Sequence, residues 1–285
     1  MKHNRPLSFA IIALIYAAAA AVGYFTYTYL PFAYWLNLLI ADAAATVFTF
    51  IFSVLLGNAS VYDPYWSVAP VFIVAVLMCR YELTLPRLLI SLAVIGWGVR
   101  LTANWAYTFG DLTHQDWRYT MLHDKTGKLY PFVNFTGIHL VPTLVVYACI
   151  LPVVVLFRTD CTLNAGTVVF FLTAVGSFVM QGIADIEMHA FRKHKTGTFI
   201  RTGLWKYSRH PNYLGEICMW WSVGLCCVCS LGGQWWLLTG AFLNTCLFLF
   251  ISIPMAETHQ RTRKPGFDEY KRQTRMLLPI YKKQS

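Results

Sequence analysis

Asp185, His189 and Arg192 lie four and three residues apart in one apolar stretch, a spacing that puts all three on one face of a helix. Gln181, one turn earlier, carries the same polar stripe deeper. A charge inside a membrane span costs a few kcal/mol on insertion scales, so a stripe of this kind marks a functional site by default. Taken alone, the same three residues also fit a solvated helix end with an internal ion pair.

The next polar segment is GLWKYSRHPNYLGEI, residues 203–217. Pro211 suits the first turn of a helix, where its missing N–H is no loss. The free N–H groups of that turn, beside Lys206, Arg209 and His210, form a natural anion site. Asn212 and Glu216, four apart, project together from the new helix, and Glu216 enters the apolar run of Ile217, Met219, Trp220 and Trp221. A carboxylate there needs a donor such as a sugar hydroxyl, an amide or an arginine. The expectation is that a ligand supplies it, so that Glu216→Gln leaves the empty protein intact. Arg192, Arg201, Lys206 and Arg209 crowd one loop, as a bound phosphate would require.

Other clusters are plainer. Tyr62 and Asp63 precede Pro64 at a helix start, Arg100 and Asn104 are four apart, and HQDWRY spans 114–119. A helix cap or an interfacial anchor accounts for each equally well. His259, two residues after Glu257, opens the tail and can face the same cavity.

The elements that must position these groups are membrane helices. The chain has 285 residues, 57% hydrophobic and 13% charged, too apolar for one ordinary water-soluble domain. Runs long enough for a hydrocarbon core of roughly 30 Å fall at 7–29, 32–56, 64–79, 86–108, 138–157, 167–191, 213–231 and 235–255. The third and seventh are short enough to be tilted or partly buried, so the expected fold is an all-α polytopic membrane bundle of seven to eight transmembrane helices. The first run is longer than a signal-peptide core and reads as a retained anchor. With the N-terminus in the cytoplasm, the inside receives 19 Lys and Arg and the outside only Arg80, Arg87 and Arg158. That asymmetry follows the positive-inside rule and puts both termini in the cytoplasm. The expected membrane is that of the endoplasmic reticulum in a eukaryote or the plasma membrane in a bacterium.

One domain, 1–285, is expected, with cytoplasmic loops 109–136 and 192–212 and tail 256–285 capping the site. A helix from Glu257 to Lys264, a break at Pro265 and Gly266, and a second short helix from Phe267 are legible in the tail. The net charge of +10 matches this orientation and attraction to anionic membrane lipids; no motif points to nucleic acid. Seven of eight cysteines lie in apolar runs and only Cys161 in a loop, so Cys226 and Cys229 read as packing residues. No glycine-rich dinucleotide fingerprint, phosphate loop or His-Glu-x-x-His occurs. Any cofactor must be held by helices and their loops.

The run from Gln181 to Leu225, with its GLWKYSRHPNYLGE core, and the ending IPMAETHQRTRKPGFDEYKRQTRMLLP resemble the steroid 5α-reductase-like membrane proteins, especially a broad branch of uncharacterised function. YDPYWSVAP, RLTANW and HQDWRY look like that branch too, so the resemblance covers most of the chain. It implies an NADPH-dependent reduction of an activated carbon–carbon double bond in a steroid-like or other lipid substrate. Asp185, Arg192, Asn212, Glu216 and His259 match positions that family uses around the dinucleotide. Tyr62 and Asp63 fall near the acid that polarises the substrate carbonyl, with Asp in place of Glu and no preceding Gln. The family's proton-donating tyrosine has no clear counterpart, and Tyr107 is the candidate. The rivals are an isoprenylcysteine or phospholipid methyltransferase using S-adenosylmethionine, which shares an Arg-His-Pro-x-Tyr-x-Gly stretch, and a non-catalytic membrane protein. Asn212 with Glu216, and Asp185 with Arg192, favour the reductase. The oligomeric state is not legible.

Overall fold

With no water in the bilayer core, each backbone N–H and C=O must be paired within the protein, and a chain of this composition meets that demand with helices. The computed structural model describes residues 4–194 and 197–278. Its α-helices are α1 (Arg5–Tyr29), α2 (Tyr34–Leu56), α3 (Tyr65–Arg80), α4 (Leu85–Thr108), α5 (Trp117–Thr126), α6 (Tyr130–Val133), α7 (Val141–Arg158), α8 (Ala165–His194), α9 (Pro211–Ser230), α10 (Thr239–Leu247), α11 (Ile253–Arg263) and α12 (Phe267–Gln273). Eight helical stretches are long and apolar enough to cross a membrane. Among the described residues there is no β-strand, only an isolated bridge between Ser208 and Arg275.

The span boundaries follow the hydrophobic runs closely, with two instructive departures. The third span opens with a 3-10 turn, Ala59–Tyr62, before Pro64 and α3. Asn58 caps that turn through a 2.8 Å bond from the Ser60 N–H. The second departure is in 109–136, expected as a loop. From Trp117 the chain is helical and runs without a break into the fifth span as Trp117–Arg158. Asp116 starts it: its carboxylate accepts from the Arg118 N–H at 2.8 Å and from the Arg118 guanidinium at 2.8 and 3.1 Å. Burial raises the Asp116 carboxyl, but these bonds outweigh it and leave it below its usual range. A π-helical segment, Asn134–Leu140, then leads into α7. The tail folds as its sequence suggests, with Gly266 at φ 81° between α11 and α12.

The chain divides into two compact units: unit 1 runs up to Tyr81 and includes Leu101–Leu151, and unit 2 holds Glu82–Arg100 and the chain from Pro152 onward. Two of the three boundaries fall inside helices, α4 and α7, and the third in the short turn between α3 and α4. In unit 1, α1 and α2 approach through small residues, Gly23 against Ala41 and Ala45. In unit 2, α8 and α9 pack along much of their length. Gly215 makes the close approach possible, because a Cβ there would lie 2.5 Å from the Gln181 side chain and 2.8 Å from the Ser177 carbonyl.

Candidate functional site

In unit 2, three helices aim polar side chains at one another. Trp97 and Arg100, one turn apart on α4, meet Gln181 and Asp185 from α8 and Glu216 and Trp220 from α9. The Glu216 carboxylate is 5% exposed at the residue level. It accepts from the Trp97 and Trp220 indoles at 2.8 Å each and from the Gln181 amide at 2.9 Å. Arg100 links this buried carboxylate to a second one: its guanidinium donates to Asp185 at 2.8 Å and to the Gln181 side-chain carbonyl. The Arg100 and Asp185 side chains are 18% and 16% exposed, so the network is sealed at Glu216 and reaches the protein surface at Asp185.

The α8 stripe continues outward from there. His189 is half-buried and Arg192 exposed, and both charges bear on Asp185. Arg192 forms no ion pair with a carboxylate among the described residues. On α9, Asn212 is half-buried and its side chain makes no hydrogen bond with a described residue. Asp185, Arg192 and Asn212 are therefore the groups with polar capacity to offer a ligand.

Arg209 and His210 have other work. Arg209 is 6% exposed and its guanidinium makes four hydrogen bonds within the protein. Nε and Nη2 donate to Glu257 of α11 at 2.9 and 2.6 Å, and Nη1 donates to the carbonyls of Lys271 and Thr274. His210 Nε2 lies 3.3 Å from the same Glu257 oxygen, and Lys271 Nζ 2.9 Å from the other. Burial holds the His210 imidazole below its usual range, against the pull of Glu257. This cluster fastens loop and tail together, and the Arg209 N–H also donates to the Arg275 carbonyl at 2.8 Å. Arg201 is exposed, bound to the Gln273 side chain and 5.4 Å over the Tyr270 ring. His259 is half-buried on α11.

Unit 1 holds the residues expected at a substrate carbonyl. Tyr62 is 1% exposed and its hydroxyl pairs with Thr143 at 2.7 Å. Asp63 accepts from the Tyr119 hydroxyl at 2.5 Å and feels the Arg118 charge. Tyr107, on the last turn of α4, is 71% exposed. Tyr62 and Asp63 are chain neighbours with different partners, Thr143 and Tyr119.

Sequence reading passed over Arg100 and Trp97 as members of the site. The available signal was the charge itself: Arg100 lies well inside a 24-residue apolar helix, where an unpaired guanidinium is not tolerated. Asp42, mid-way along α2, is a similar omission; it accepts from the Tyr65 hydroxyl at 2.8 Å.

These elements and their polar stripe belong to a multi-pass helical membrane protein. Within that class, the chain belongs to the family described as "Protein of unknown function (DUF1295)", whose model matches residues 49–274. No curated protein and no solved structure matches it.

Proposed function

We propose that the protein is a membrane-embedded, NADPH-dependent reductase of a carbon–carbon double bond conjugated to a carbonyl in a lipid or steroid-like substrate. The observation that carries the reading is the outer end of the α8 stripe. There Asp185 is oriented by Arg100, and Arg192 and Asn212 keep unused hydrogen-bonding capacity. That donor set fits a dinucleotide: a carboxylate for ribose hydroxyls, an amide for the carboxamide, and a guanidinium for phosphate. Glu216, Arg209 and His210 support it from behind, since their polar groups are taken by the protein itself. The resemblance of the Gln181–Leu225 segment to the steroid 5α-reductase-like proteins points the same way.

When bound, NADPH supplies the hydride, which goes to the β-carbon; a proton goes to the α-carbon, leaving a saturated carbonyl compound and NADP⁺. The protein's own part is to orient the dinucleotide through Asp185 and Asn212 and to balance its charge through Arg192. Tyr62, Asp63 and Tyr107 are the groups proposed for the substrate carbonyl and the proton.

The test is thermal stabilisation of the detergent-purified protein by NADPH, NADH and S-adenosylmethionine in parallel. NADPH is expected to raise Tm most. Asp185→Asn and Asn212→Ala should each weaken its apparent affinity about tenfold or more, as loss of a hydrogen bond involving a charged or buried group does. Stabilisation by S-adenosylmethionine with no response to either nicotinamide would replace the reductase by a methyltransferase.

A further inference from the structure

Beyond the end of α8, residues 197–202 of unit 2 meet the Pro265–Gly266 corner and the first turn of α12 around a cavity of about 600 Å³. Phe191 and Phe199 provide apolar wall and Arg201 a guanidinium, while the one carboxylate on the described lining is Glu269. That acid is already occupied, by the Arg272 guanidinium at 2.7 Å and the Gln273 amide at 2.5 Å. Arg201 on the lining, and two cations next to lining residues, Lys264 beside Pro265 and Arg192 beside Phe191, have no such partner. Arg201, Lys264 and Arg192 form no ion pair with any carboxylate among the described residues.

Neutral groups hold two of these cations in place. Arg201 is bound to the Gln273 side chain and lies over Tyr270. Lys264 Nζ stands 5.3 Å over the Phe199 ring, which stacks on Tyr270 at 4.7 Å between centroids. Cation–π contacts of this kind position a charge without neutralising it. Burial and the neighbouring Arg192 charge push the Lys264 ammonium below its usual range, which is the mark of like charges crowded beside a low-dielectric wall. An anion seated among them relieves that repulsion.

We infer that this cavity is a binding site for a phosphate group carried on an apolar body. A guanidinium offers phosphate a two-pronged donor fork and an ammonium adds a point charge, while Phe191 and Phe199 take the apolar root. Two sources have this chemistry: the headgroup of an anionic phospholipid, and a soluble phosphate ester. The site lies at the ends of helices in a multi-pass membrane protein, the level at which headgroups sit. It shares Arg192 with the dinucleotide reading but not Asp185 or Asn212, neither of which lines it.

The experiment compares protein in neutral phosphatidylcholine nanodiscs, with and without inorganic pyrophosphate, against protein in discs doped with phosphatidylglycerol. At least one addition should raise Tm, less so as salt is added. Arg201→Gln and Lys264→Gln should each weaken the apparent affinity about tenfold or more, as loss of a charged hydrogen-bonding group does. Lys128→Gln, at an exposed lysine of unit 1 that does not line the cavity, should not. A response to phosphatidylglycerol alone assigns the headgroup, a response to pyrophosphate alone a soluble ester, and a response to both the shared phosphate. Asp185→Asn should keep the response, so failure of the NADPH reading leaves this one standing. Absence of a shift in both arms overturns the site. So does an undiminished shift in both cavity variants, or an equal loss in Lys128→Gln, which would reduce the effect to general surface charge.

Discussion

Glu216 sits among two indole N–H groups and an amide that the fold itself provides, so its carboxylate is satisfied before any ligand arrives. The expectation that it would wait for a cofactor, and that Glu216→Gln would leave the empty protein intact, is therefore reversed. A glutamine keeps the shape but replaces one acceptor oxygen with a donor that faces donors. Glu216→Gln should destabilise the ligand-free protein by about 1–3 kcal/mol, and Glu216→Ala by more, because it strands three buried donors. Melting curves in detergent without any nucleotide check this. A variant that melts with the wild type would show that these bonds contribute nothing and return Glu216 to a ligand-binding role. Arg209 teaches the same lesson: a basic residue in a loop reads as a phosphate ligand until four of its guanidinium N–H groups are traced to Glu257 and two carbonyls.

At the level of elements, the site depends on how closely α8 and α9 approach, because Gln181 and Glu216 meet at 2.9 Å across that contact. Gly215 lies one residue before Glu216, and a methyl group there would collide with the Ser177 carbonyl as well as with Gln181. A backbone oxygen cannot turn aside as a side chain can. Gly215→Ala should cost about 1–3 kcal/mol, the usual range for overpacking, and should weaken NADPH stabilisation as well by shifting Asp185. Gly176→Ala is the control. Nothing lies within 4 Å of a Cβ at Gly176, and alanine is the better helix former by about 1 kcal/mol or less, so that variant should melt at or slightly above the wild type. Equal losses in the two variants would mean that helix propensity, not the close approach, decides.

For the whole molecule, the charge split predicts both termini on the cytoplasmic side, and with eight candidate spanning stretches the 159–164 turn is then expected on the other. Cys161 lies in that turn, half-exposed, 3.4 Å from the Thr84 hydroxyl. In sealed vesicles, a membrane-impermeant maleimide should label Cys161 only from the non-cytoplasmic face, while terminal tags should respond only from the cytoplasmic face. Labelling of Cys161 together with a C-terminal tag from one side would remove a span from the count.

Sequence alone determined the membrane class, a count of seven to eight spans and most of their limits, because the bilayer imposes a length and a hydrophobicity that each crossing must meet regardless of its neighbours. It also determined the α8 stripe, since Gln181, Asp185, His189 and Arg192 share a face by helical periodicity within one segment, and the break at Gly266, which follows from local backbone freedom. The helix from Trp117 was hidden because its signal is a capping aspartate and not an apolar run. What tertiary structure decided was which polar groups are already spent. Arg100 reaches Asp185 across 85 residues of chain, Trp97 reaches Glu216 across 119, and Arg209 reaches Glu257 across 48. No periodicity encodes such pairings, because whether a buried charge is a ligand site or a fastening depends on the donors that other helices bring to it.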